Sequence, residues 1–89
     1  MKIKDGFVLR KIGGKDMAVP VGERTREVHG MIALNETGAF LWENLSEERT
    51  EEELTRALLD EYEVDQAVAA RAVEGFVRKL RENGVLEDE

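Results

Sequence analysis

Along the first third of the chain apolar residues come in short, strand-like runs; from Asn35 onward they recur at helical spacing. Phe7-Val8-Leu9-Arg10-Lys11-Ile12 is rich in strand formers, and Gly13-Gly14-Lys15-Asp16 after it signals a turn. Met17-Ala18-Val19-Pro20-Val21 predicts a second short strand, closed by Gly22. Pro20 has no N–H to give a ladder, so it belongs at a strand edge or an irregularity. After Glu23-Arg24-Thr25, the run from Arg26 to Leu34 predicts a third strand. Alternation puts Val28, Gly30, Ile32 and Leu34 on one face, and His29, Met31 and Ala33 on the other. Short loops between the three imply an antiparallel meander.

The helical part opens at Asn35, a good N-cap, and Ala39, Trp42 and Leu45, with Phe40 and Leu41, form its apolar stripe. Ser46 to Arg49 breaks this helix. Thr50 starts a second one, and Glu53 three residues on completes a capping box. Leu54, Ala57, Leu58 and Tyr62 share a face of that helix, whereas Glu51, Glu52 and Glu53 sit in its first turn, where the dipole favours anions. They read as a solvated helix start and not as a metal site. Asp65 caps a third and longest helix, in which Ala69, Ala72, Val73, Phe76, Val77 and Leu80 predict one buried face. Asn83-Gly84 signals its end, Arg78, Lys79 and Arg81 lie near the negative pole of its dipole, and Val85-Leu86 is expected to fold back on the core. Glu87-Asp88-Glu89 is expected to fray. Strands first and helices after is an α+β order.

Length sets the scale of what this pattern can build. Eighty-nine residues suit one domain, and a chain of that size buries roughly 60–65% of the surface its unfolded form exposes. That is enough for one core and a shallow groove, not a deep catalytic cavity. The absence of cysteine excludes disulfides, Cys-ligated zinc and iron–sulfur clusters. No run approaches the roughly 20 apolar residues of a membrane span, and the start carries no signal-peptide pattern, so a cytoplasmic location with no membrane partner is expected. Net charge is −7, unevenly placed: residues 1–34 carry seven Lys/Arg against four Asp/Glu, residues 35–89 six against sixteen. An acidic helical half repels a phosphate backbone and argues against a nucleic-acid partner.

Catalytic constellations are absent from the pattern. His29 is the single histidine, with no cysteine to share a metal and no evident partner to orient it as a general base. Gly13-Gly14-Lys15 lacks the spacing of a phosphate loop and reads as a hairpin turn. Carboxylates fall mostly on exposed helix faces. The expectation is a non-catalytic domain with no catalytic residue, no metal and no cofactor.

Two glycines stand where element interiors disfavour them, Gly30 in the third strand and Gly75 in the third helix. An interior helical glycine costs about 0.5–1 kcal/mol relative to alanine. Either tight packing or the close approach of another backbone accounts for that. Gly75 shares a face with Val68, Ala72 and Lys79, small residues beside a basic rim that would suit an extended chain. The third strand is uncharged from Val28 to Leu34, with no proline or lysine to blunt it as an edge. An added peptide strand could pair there, main-chain bonds giving affinity and side-chain pockets selectivity.

Several segments together resemble the PqqD family, which takes its name from a pyrroloquinoline quinone biosynthesis protein. They are Leu34-Asn35-Glu36-Thr37-Gly38-Ala39-Phe40-Leu41-Trp42, Thr50-Glu51-Glu52-Glu53-Leu54, the ending Leu80-x-x-x-Gly84-Val85-Leu86, and Phe7-Val8-Leu9-Arg10. The resemblance runs over nearly all of the chain. It implies a winged-helix-like domain that serves as a recognition element for ribosomally made, modified peptides. Such domains bind a precursor's leader as an added strand between the third strand and third helix, and present it to a modifying enzyme, often a radical S-adenosylmethionine enzyme. Carried over by position, the contacts are Val28, His29, Gly30, Met31 and Ile32 on the strand and Ala72, Gly75, Phe76 and Lys79 on the helix. Asn35 to Trp42 looks structural. Two other uses of the same elements are a winged-helix DNA-binding protein and a domain that dimerises through the third strand; a monomer or weak homodimer fits either the peptide or the assembly reading. The third helix sets Arg71, Arg78, Lys79 and Arg81 against Asp65, Glu74 and Glu82, a weak basic balance for reading DNA.

Overall fold

A computed structural model describes residues 1–26 and 30–87. Its centre is a hairpin of β2 (Phe7–Ile12) and β3 (Lys15–Pro20), with β1 (Lys2–Ile3) preceding it. Gly13 and Gly14 form the two-residue turn with φ of +59° and +82°. Left-handed backbone at both central positions matches the right-handed twist of the strands, and glycine adopts it without a Cβ penalty. Pairing runs from Ile12 opposite Lys15 to Phe7 opposite Pro20, so the proline closes β3 at its end. A 3₁₀ turn over Gly22–Arg26 follows, which the sequence pattern does not announce.

The third strand, β4 (Ile32–Leu34), is shorter than the pattern from Arg26 to Leu34 predicts. Gly30 is not inside it: its φ of +86° is left-handed, and a left-handed residue cannot continue an extended strand. β4 pairs antiparallel with β3, Asp16 opposite Leu34 and Ala18 opposite Ile32. The sheet order is β2-β3-β4, which leaves β4 as an edge.

Three helices complete the α+β order: α1 (Glu36–Asn44), α2 (Glu51–Glu61) and α3 (Gln66–Glu82). Each expected cap forms. The Gly38 N–H donates to Asn35 Oδ1 at 2.7 Å, the reciprocal Thr50–Glu53 box closes α2, and the Val68 N–H donates to Asp65 Oδ1 at 3.0 Å. At the end of α3, Gly84 takes a φ of +70° while Val85 N–H reaches the Leu80 carbonyl and Gly84 N–H that of Arg81, both at 3.0 Å. This Schellman arrangement turns the chain back, and Val85 and Leu86 enter the core. Leu86 and Glu87 then form β5, pairing with β1, Ile3 opposite Leu86 and Lys2 opposite Glu87. Glu87, expected in a frayed tail, is instead tied to the N-terminal segment.

The core lies between the sheet and the helices. Leu41, Leu45, Leu54, Val73, Val77, Leu80 and Val85 are fully buried, and Trp42 sits beside them, its ring edge-on to Phe7 at 6.0 Å. On α3 the buried stripe is Ala69, Val73, Val77 and Leu80; Phe76 is half-buried, and Ala72, expected within the stripe, is exposed on its flank. No helix among the described residues is long and apolar enough to cross a membrane.

Candidate peptide-binding groove

An open groove of about 490 Å³ runs between the end of β4, the start of α1 and one flank of α3. Ala72, Gly75 and Phe76 form its α3 wall, with Arg71 and Lys79 at the two ends. Opposite them stand Ala33 and Leu34 of β4, the cap residue Asn35, and Thr37, Gly38 and Leu41 of α1. The local sequence explains this shape. The Asn35 cap starts α1 directly after the strand, and Gly38 lets the turn pass close: a Cβ there would lie 3.1 Å from Asn35 Oδ1. Gly75 is different. A Cβ built on it meets nothing within 4 Å, so helix packing does not require a glycine there, and the missing side chain leaves open space on the groove wall.

The polar groups of the groove are few. The Lys79 ammonium donates to the Ala33 backbone carbonyl at 3.0 Å, bridging helix and edge strand. Among the described residues, neither Arg71 nor Lys79 is ion-paired with a carboxylate, whereas the neighbouring Arg78 is tied to Glu74 at 3.8 Å. The described residues also contain no cluster of three or more His, Asp or Glu that could hold a metal ion.

Of the residues expected to meet a peptide, Ala72, Gly75, Phe76 and Lys79 come together as one wall. The strand side differs. Val28 and His29 lie outside the described residues. Gly30 is exposed but in a bend ahead of β4, and Met31, 52% exposed, just precedes the strand. Neither lines the groove. Ile32 is a core residue, 6% exposed, because its alternation partner Leu34 and the helices claim that face. The groove's strand wall is one step further along, at Ala33 and Leu34. Sequence reasoning missed the contribution of α1, where Asn35 and Gly38 form the helix cap and, with Thr37, line the groove. It also missed Arg71, although its spacing from Gly75 and Lys79, i, i+4 and i+8, places all three on one helical flank.

A three-stranded sheet with β4 at its edge, three helices and a groove along the last helix define the class: a small α+β domain with a groove beside an edge strand. The profile of the family described as coenzyme PQQ synthesis protein D (PqqD) matches residues 21–86, and the chain belongs to that family. No curated protein sequence matches it. Among solved structures, TbiB1 in complex with the TbiA(beta) leader peptide is similar over 100% of this chain and 98% of its own, with 27% identity and a TM-score of 0.75. A lasso peptide synthetase B1 complexed with the leader peptide shares the fold, at 20% identity and a TM-score of 0.72, over 98% of this chain and 96% of that one.

Proposed function

We propose that the chain is a non-catalytic recognition domain that holds the leader of a ribosomally made precursor peptide and offers it to a modifying enzyme. The leader adds to the edge of β4 and lies in the groove beside Gly75. One observation carries this reading: an edge strand without proline or lysine opens onto a groove whose helical wall has a glycine that packing does not need. An exposed edge supplies main-chain groups for pairing, and the open Gly75 flank supplies room for a second backbone. The solved relative TbiB1, bound to a leader peptide, supports the same use. The modifying enzyme is a radical S-adenosylmethionine enzyme on the strength of the family resemblance, and the domain acts in the cytoplasm as a monomer or weak homodimer.

The test is a titration of the isotope-labelled domain with short peptides encoded beside its gene, followed by amide NMR. Saturable shifts concentrated on Met31–Gly38 and Arg71–Lys79 are expected. If no such peptide binds and sedimentation shows a concentration-dependent dimer, the β4 edge pairs with a second copy and the peptide reading fails.

A further inference from the structure

The groove differs in charge from the rest of the molecule. The chain carries thirteen Lys and Arg against twenty Asp and Glu, yet the groove wall holds Arg71 and Lys79 and no carboxylate. The neighbouring depressions do not share this. Between α2 and α3, Arg56 and Arg71 face Glu51, Glu52 and Glu74; beside Trp42, Lys4 meets Asp5 and Glu43; at the hairpin end, Lys11 and Lys15 are balanced by Asp16 and Glu36. Arg71 is shared with the depression between α2 and α3, so Lys79 is the cation that belongs to this groove alone, and the groove lining carries no carboxylate to oppose an acidic peptide.

Lys79 also stands in the way of strand addition. Its ammonium occupies the carbonyl of Ala33, the middle residue of the edge strand. Backbone groups of an antiparallel strand point alternately to its two sides, and Lys79, reaching across from α3, holds a main-chain acceptor of the strand to which a peptide would add. An added strand that takes that acceptor for its own N–H displaces the ammonium, which then needs a new partner. A carboxylate on the peptide is the group that satisfies it best.

Resting on the peptide-binding reading above, we propose that the groove selects an acidic peptide and that Lys79 determines this selectivity, exchanging the Ala33 carbonyl for a peptide carboxylate as the strand docks. A peptide strand running along α3 would also meet a set spacing. Arg71 and Lys79 are eight residues apart on one helix, about 12 Å along its axis. A strand rising roughly 3.3 Å per residue covers that distance in about four residues, and residues four apart point to the same face. The favoured peptide carries Asp or Glu at positions i and i+4, with small or apolar residues between them over Ala72, Gly75 and Phe76.

The experiment selects a randomised 12-residue displayed peptide library on the intact domain, with Gly75→Leu as the counter-target. Peptides that bind the wild type and are lost on Gly75→Leu are groove ligands. They are expected to be enriched in acidic residues four apart. One is then compared with its amide form, Gln for Glu and Asn for Asp, on the wild type and on Lys79→Met. Lys79→Met is expected to weaken the acidic form by about two- to fivefold at low salt, an effect that shrinks as salt screens the charges. It is expected to strengthen the amide form about twofold, because no bond to Ala33 must be broken. Lys79→Arg should keep the preference for the acidic form. Groove ligands without acidic enrichment, or equal weakening of both forms by Lys79→Met, overturn the selectivity and leave the peptide-binding reading standing. If no selected peptide is lost on Gly75→Leu, the groove reading itself fails and the selectivity goes with it.

Discussion

Substitution of Gly75 separates the groove from the scaffold, because stability and binding should move in opposite directions. Gly75 lies inside the 17-residue α3, is exposed, and is not among the left-handed glycines, so its backbone accepts any L-residue. A Cβ added there meets nothing within 4 Å. Gly75→Ala therefore removes the helix-interior penalty of glycine with no steric cost, a gain of about 0.8–1 kcal/mol. For a domain of this size, 1 kcal/mol shifts the melting temperature by about 4–8 °C. Gly75→Leu should gain nearly as much, since leucine is a good helix former, but its side chain projects into the groove. An extended peptide forced away from the wall loses on the order of two main-chain hydrogen bonds. At about 0.5–1.5 kcal/mol net each, affinity falls roughly 5- to 150-fold. Thermal unfolding by circular dichroism and fluorescence anisotropy of a labelled leader read the two effects on the same samples. Wild-type affinity in a Gly75→Leu protein that melts higher would refute the route past Gly75. A lower melting temperature for Gly75→Ala would show that some packing requirement holds the glycine there.

Two further perturbations probe the scaffold. Trp42→Ala removes a nearly buried ring, 6% exposed, together with its edge contact to Phe7, and should cost about 3–5 kcal/mol in denaturant unfolding; retained stability would mean that Trp42 does not anchor this core. Tyr62, the single tyrosine, has its phenol raised above the ordinary value near 10, first by burial, then by the charges of Glu36 and Glu61, and by the hydrogen bond it donates to Glu36. A raised value favours the neutral phenol in the folded state, so this contribution to stability is complete below pH 10 and is lost as pH rises through the folded value. Absorbance titration at an alkaline wavelength should place the midpoint of the folded protein above that of the urea-unfolded chain. Glu36→Gln should lower it only in part, because burial is the largest cause; identical folded and unfolded midpoints would contradict the contact.

The parts of this molecule that were legible in the sequence are those fixed by local chemistry. Gly13-Gly14 specifies its turn through two left-handed residues, and Asn35, Thr50 and Asp65 cap their helices through bonds three residues away. None of these depends on distant contacts. The pairing of β1 with β5 does: two residues at each end of the chain carry no periodicity of their own, and only the Schellman turn after Leu80 brings Leu86 back to Ile3. The third strand was overextended for a related reason. Gly30 fits an alternating run by its place in the sequence, and its left-handed φ, which ends the run, follows from the path of the chain rather than from its neighbours. One wall of the groove was legible because a helix flank is itself periodic, so Ala72, Gly75 and Lys79 could be grouped by spacing, with Phe76 added by the family resemblance. The other wall was not. Asn35 and Gly38 have a sufficient local explanation as cap and tight turn, and a residue already explained draws no second role. Packing alone shows that the same turn faces Gly75 across the groove, so the features that make α1 begin where it does also fix the width of the site. A change that loosens the Asn35 cap thereby acts on the groove as well as on the helix, and the scaffold and the site are not separable on that side as they are at Gly75.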